Sequence, residues 1–321
     1  KSDESLKNHL VLEELNQRNI SEPWDYLATK TIRKHEAQPK SANWYRVDYL
    51  LALDLWQKKR RDGITGYDLQ ELLDKQEIWL LIDKFRIALA APNLENISKV
   101  KHELSSMSHW LKIVETLGEK RPPLLTLYWY AFLTVYIGKE EHFNSLRDGL
   151  LNGKPDIAQQ EINGLFGIAG NYCMRQYGES NTPEYYLQQL SELYLVQIQS
   201  GLLLTEGFLD HRRFKNIVSI LSRANQVNWL DVKGFIENHI TLVRKDAQDF
   251  TKCLSLAVMY LYKEEFNKAL EQSQSALLLP APCDYHAMDV RSVMLKVLYE
   301  LGKPGGLQNI QEFEQHHNKF K

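Results

Sequence analysis

Few residues in this sequence have the types and spacing that chemistry requires. Glu312 and His316 are four apart, so a helix would place a carboxylate and an imidazole on one face, where both could bind a metal ion. Cys283 and His286 could act as a nucleophile and its base. The first pair lacks a third ligand, and the second follows a Pro-Ala-Pro turn that accounts for it structurally. We therefore expect the first pair to lie on a solvated terminal helix and the second to lie in a turn. We expect no catalytic residue, no metal and no cofactor.

Other patterns have both a chemical and a structural interpretation. The glycines at every third position of 164–170 could cradle phosphate, but apolar residues between them favour a helix with a closely packed stripe. The basic run 58–61 could bind nucleic acid or an acidic partner, yet charge complementing a helix C-terminus explains it equally. The aromatic residues at every fourth position of 128–136 could stack on bases, although this spacing is typical of a buried stripe. His102 and His109 are expected on one helical face, as packing or surface residues.

The composition is that of an ordinary folded protein. The 321 residues are 44% hydrophobic and 25% charged, with a formal charge of -2, so no global field favours nucleic acid or anionic lipid. The three cysteines are widely spaced, which argues against a disulfide framework and for a reducing, cytoplasmic location. No apolar segment is long enough for a membrane span. The sequence begins with Lys1 and has no signal-like start, so we expect a processed chain or a piece of a longer one.

The apolar residues follow a helical period almost throughout, with proline at helix starts and glycine at helix ends. The pattern therefore predicts an all-α chain of short-linked helices, with weak seams only at 90–96 and 152–156. The predicted helices are 3–17, 23–36, 42–61, 67–90, 97–117, 122–137, 140–151, 155–177, 183–206, 211–225, 229–243, 247–262, 264–279, 284–301 and 304–318.

Residues 250–281 resemble a tetratricopeptide repeat. Such a repeat has a large-small pair and an aromatic in its first helix, and small residues where its second helix crosses the first. The matching residues are Leu256, Ala257, Tyr260, Phe266, Ala269 and Ala276. Weaker copies at offsets of 37 to 39 lie on either side, so the resemblance is good over 210–321 and hardly detectable before residue 90. It implies a right-handed α-α solenoid of TPR-like hairpins over 97–321, preceded by a divergent helical region over 1–96 that serves as a cap or accessory domain.

Stacked hairpins form a curved groove lined by the first helix of each pair. If the small residues of successive hairpins are equivalent, the groove has a basic, amide-rich floor that becomes apolar toward the C-terminus. Arginine and amide side chains can bind carboxylates or an extended main chain, and an apolar floor can hold an anchor residue. The predicted groove residues are Asn171, Arg175, Arg213, Asn216, Arg223, Val258, Tyr262 and Met294.

Two functions remain open. The first is a non-catalytic scaffold that binds a peptide or partner protein, including an acidic one, in the groove, without direct nucleic-acid binding. The alternative is a ligand-sensing arm of a longer signalling or transcription-regulating protein. No common catalytic motif is present in the sequence, so we do not expect an enzyme.

Overall fold

The computed structural model describes residues 4–18, 20–64, 69–104, 106–153, 156–224, 229–282 and 284–302. These residues are helical almost throughout, which confirms the all-α prediction. The predicted helix 304–318 lies outside the described residues. The described helices are α1 (Glu4–Gln17), α2 (Ser21–Glu36), α3 (Ala42–Arg61), α4 (Leu69–Ser98), α5 (Met107–Leu117), α6 (Pro123–Tyr136), α7 (Glu140–Leu151), α8 (Gln159–Glu179), α9 (Pro183–Gln199), α10 (His211–Arg223), α11 (Trp229–His239), α12 (Gln248–Tyr262), α13 (Phe266–Leu277) and α14 (Asp284–Gly302).

The helices cluster into two compact units. The described residues up to Tyr172 form the first unit, and those from Cys173 form the second, so the division falls within α8. The division into 1–96 and 97–321 was inferred from the extent of the repeat resemblance, and it stays a prediction.

In the first unit, consecutive helices bury an apolar core between them. The α1 helix packs against α2 and α3, α3 packs against α4, and α4 packs against α6. Leu12, Trp24 and Val47 bring one residue from each of α1, α2 and α3 into a single buried cluster. Burial of such side chains, rather than helix propensity alone, stabilises helices of this length.

A buried carboxylate attaches α8 to the start of α3. Glu161 accepts a hydrogen bond from the backbone N–H of Ala42 at 2.8 Å, and another from the hydroxyl of Tyr128 on α6. A negative charge at this position complements the helix dipole and satisfies a free N–H group. Beside it, Lys40 forms a parallel backbone bridge with Ile157. The predicted seam before α8 is therefore attached to the fold of the first unit.

The other predicted seam is helical. The α4 helix continues through it to Ser98, although Pro92 lies inside the helix. Leu89 and Ala91, just before Pro92, are buried. Their burial offsets the backbone hydrogen bond that a proline removes, so tertiary packing outweighs the local stop signal.

The helix predicted over 97–117 begins only at Met107. His102 therefore lies in a non-helical segment, where its N–H donates to the Glu95 side chain at 2.8 Å. The prediction that His102 and His109 share a helical face is wrong.

Gly164 and Gly167 of α8 do not mediate close helix packing, contrary to the sequence interpretation. Gly164 and Gly167 are exposed, and a Cβ atom added at either would meet nothing within 4 Å. The close contact is instead at Gly149 of α7, where an added Cβ would lie 2.7 Å from the Leu127 side chain.

The second unit begins with the end of α8 and with α9, which is shorter than predicted. The α9 helix ends at Gln199 and is followed by a two-stranded hairpin of β1 (Leu204–Thr205) and β2 (Phe208–Leu209). Glu206 and Gly207 both have positive φ at its turn, which is the conformation that tight hairpins favour. The turn residues, rather than the apolar period, therefore determine that this segment forms a hairpin instead of continuing the helix.

The helices from α10 to α14 contact their neighbours in sequence, and α10 also packs directly against α12. At the contacts of α12, α13 and α14, Ala257, Ala269 and Ala276 are fully buried. Small residues in these places let helices approach closely. This arrangement is compatible with a helical repeat.

Candidate functional site

Three of the predicted groove residues lie together on the α10 helix. The Asp210 side chain begins the helix by accepting from the N–H groups of Arg212 and Arg213, at 3.0 and 3.1 Å. The apolar side of α10 is buried. Arg213 and Asn216 are exposed on the other side, with Arg223 seven residues beyond Asn216. We call Arg213, Asn216 and Arg223 the α10 face.

The structure brings together two groove residues that the sequence treats separately. Arg223 Nε donates to the Tyr262 hydroxyl at 2.6 Å, and its guanidinium lies 4.9 Å from the centre of the Tyr262 ring. Both side chains are half-buried. This contact joins the C-terminal ends of α10 and α12 and orients the Arg223 charge.

The α10 face carries positive charge. Within the described part of the chain, neither Arg213 nor Arg223 forms an ion pair with a carboxylate. Arg213 does influence Tyr194 on α9, because its charge opposes the rise in the Tyr194 pKa that burial causes. An approaching carboxylate could therefore pair with Arg213 without displacing an existing salt bridge.

One ion pair in this region was missed by the sequence reasoning. Lys215 Nζ on α10 lies 3.0 Å from a carboxylate oxygen of Asp289 on α14. The two residues are 74 positions apart, and the sequence pattern of neither helix indicates that they would form a pair. The contact shows that α10 and α14 approach each other, although α12 lies between them in sequence.

The predicted apolar floor is part of the core. Val258 is 5% exposed and Met294 is 3% exposed, and both belong to one cluster with Phe250, Leu254 and Val290. The reason is the packing of α14 onto α12, which covers side chains that an isolated hairpin would expose. As the structure stands, Val258 and Met294 pack within the chain rather than offer a surface.

Asn171 and Arg175 are both exposed on α8. Asn171 belongs to the first unit and Arg175 to the second. Only Arg175 is therefore considered together with the α10 face.

The described thiols show no sign of activation. Cys173 is buried, and burial raises the pKa of Cys253 on α12 above its usual value. Nucleophilic cysteines need the opposite shift, toward the thiolate. Cys283, the His286 side chain, Glu312 and His316 lie outside the described residues. In the part of the chain that the structure covers, no three His, Cys, Asp or Glu side chains group as a metal site would require.

Two residues of the basic run at the end of α3 form contacts within the first unit. Lys58 is buried, donates to Asp62 at 2.8 Å and lies 5.3 Å from the centre of the Trp24 ring. Arg61 donates to the Asn16 carbonyl. These contacts support the structural interpretation for Lys58 and Arg61.

The aromatic stripe on α6 is largely core, as its spacing indicated. Tyr128 and Phe132 are buried, and the ring of Phe132 stacks on Tyr136 with centroids 4.5 Å apart. The partly exposed Tyr136 donates through its hydroxyl to the Ala88 carbonyl at 2.7 Å. A base-stacking platform would need open ring faces, and this arrangement does not provide them.

Among the helices of the described residues, none is long and apolar enough to cross a bilayer. Comparison with known protein-family models, with curated proteins and with solved structures finds no match to this chain.

Proposed function

We propose that this protein is a non-catalytic interaction scaffold. Its helices would form a right-handed α-α solenoid of TPR-like hairpins, and its second unit would bind a peptide or a partner protein. The contacts between consecutive helices, the packing of α10 on α12 and the buried alanines support this proposal. The free thiols Cys173 and Cys253 fit a reducing, cytoplasmic location.

The observation that carries the proposal is the exposed, positively charged surface of the α10 face. Arg213 and Asn216 are exposed, and Arg223 is fixed against Tyr262. Guanidinium groups bind carboxylates with two parallel hydrogen bonds, and a side-chain amide can bind a peptide main chain. The partner that fits best is therefore a protein segment carrying acidic residues.

Affinity capture with the full chain tests this proposal. Arg213→Glu reverses one charge of the α10 face, and Arg175→Glu reverses the predicted groove charge on α8. Arg244→Glu is the matched control, because Arg244 is exposed outside the helices of the second unit. We expect Arg213→Glu to weaken partner capture about tenfold or more, the effect of roughly 1.4 kcal/mol, while the control leaves it unchanged. Equal capture by all variants would exclude the α10 face.

A ligand-sensing role as an arm of a longer regulatory protein is the second candidate. It is favoured by a cavity in the first unit, which could bind a small molecule independently of any partner protein.

A further inference from the structure

The first unit contains a cavity between α2, α3 and α4. Its volume is about 140 Å³. An apolar protein cavity of about 150 Å³ accommodates benzene, so this one has room for about six non-hydrogen atoms. Side chains from all three helices line it.

One part of the lining is apolar. Ile32, Leu51, Leu55 and Leu72 contribute branched aliphatic side chains from all three helices, and Leu51 and Leu72 are buried. His35 adds a rigid wall, because it is only 2% exposed and its ring stacks on Trp44 with centroids 4.5 Å apart. A small apolar group would be well accommodated here.

The rest of the lining is charged, and only some of its charged side chains form ion pairs within the described residues. Lys75 is shared between Asp48 at 3.2 Å and Glu71 at 3.5 Å. Lys59 and Glu36 also line the cavity, and no ion pair of either is found within the described ranges. Among the described residues, Lys59 and Glu36 thus have no ionic partner, and both lie beside an aliphatic surface.

We propose that this cavity binds an apolar α-amino acid. The ammonium group of the ligand pairs with Glu36, the carboxylate pairs with Lys59, and a branched aliphatic side chain packs on Leu51 and Leu55. A zwitterion satisfies both charges at once, whereas a simple amine or a simple acid leaves one of them unpaired. The four-carbon side chain of L-leucine fits within this volume, and its charged end would lie at Glu36 and Lys59, which are both exposed. The site lies in the first unit and does not depend on the α10 face.

Isothermal titration of the full chain with L-leucine, isoamylamine and isovalerate tests the proposal on the unmodified protein. The three compounds share the branched aliphatic group and differ in which charges they carry. We expect saturable binding of L-leucine and at least tenfold weaker binding of the other two. Absence of leucine binding, or equal binding of the amine or the acid, overturns the proposal.

Two variants locate the binding. Lys59→Glu changes an exposed charge at the cavity and should weaken leucine binding at least tenfold, while Lys112→Glu, at an exposed position of α5 outside the cavity, should not. Leu55→Phe fills part of the cavity without changing its charge and should also weaken binding. Circular dichroism confirms that each variant is folded. Leucine binding that survives both Lys59→Glu and Leu55→Phe overturns the assignment to this cavity, whatever the partner-capture experiment shows.

Discussion

The buried pair His9–Asp54 makes the first unit sensitive to pH in an unusual direction. His9 Nδ1 on α1 lies 2.7 Å from an Asp54 carboxylate oxygen on α3, and the two residues are 7% and 2% exposed. The hydrogen bond to Asp54 is the main reason that the pKa of His9 is raised, with burial opposing it. Burial raises the pKa of Asp54, and the bond to His9 only partly offsets this. The nearby Glu13 charge raises both pKa values, and Arg46 lowers that of His9.

Both groups therefore hold a proton more firmly in the folded state than in the unfolded chain. The contribution of His9 to stability is complete below its unfolded pKa, about 6.5, and is lost as the pH rises through its higher folded pKa. The raised pKa of Asp54 acts in the same sense at lower pH. We expect the contact between α1 and α3 to be more stable at pH 6 than at pH 8.

Asp54→Asn keeps the size of the side chain and removes its charge. Removing one partner of a buried ion pair costs about 3–5 kcal/mol when the other charge is left unpaired, and retention of a hydrogen-bonding amide makes the lower end the better expectation. The loss should be largest at pH 6, where His9 is protonated, and smaller at pH 8. Glu14→Gln is the matched control, because Glu14 pairs with Arg18 at the surface of α1 and such pairs contribute only about 0–1 kcal/mol.

Hydrogen exchange measured by mass spectrometry resolves this contact from the rest of the chain. Peptides covering 4–17 and 42–61 should exchange faster in Asp54→Asn than in the unmodified protein, and the difference should shrink from pH 6 to pH 8 after correction for intrinsic rates. If both proteins show the same pH dependence, or if protection of these peptides increases toward pH 8, the reasoning about the pair is wrong.

Two further outcomes follow from contacts in the structure. Gly149→Ala should destabilise the first unit by about 1–3 kcal/mol, because the added methyl overlaps the Leu127 side chain, while Gly164→Ala should be neutral or stabilising by up to about 1 kcal/mol. Thermal unfolding of the two variants checks this contrast. Arg223→Ala and Tyr262→Phe should show a coupling of about 1 kcal/mol in a double-mutant cycle by urea unfolding, and additive effects would exclude a stabilising contact between these side chains.

The apolar period along the sequence was sufficient to predict most of the described helices. It failed where tertiary packing opposes a local signal. The apolar period of α10 predicts that helix and the exposure of Arg213 and Asn216, because the period depends on neighbours within about one turn. At Pro92 the local signal predicts an interruption, and burial of the surrounding helix face overrides it.

The candidate sites depend on contacts between residues distant in sequence more than the helices do. The exposed positions of Arg213 and Asn216 follow from the period of one helix. The contact between Arg223 and Tyr262, and that between Lys215 and Asp289, join residues 39 and 74 positions apart. The burial of Val258 and Met294 likewise arises only when α14 packs on α12.

The amino-acid order alone indicated that the described part of the chain is helical and that Arg213 and Asn216 lie on the polar side of α10, since hydrophobic period acts over a few positions. Which polar residues meet, and which apolar residues are covered, was decided by the packing of helices distant in sequence. The cavity between α2, α3 and α4 is of this second kind. Its charges and aliphatic groups come from segments up to 43 positions apart, Ile32 to Lys75, and only the folded unit places them around one space.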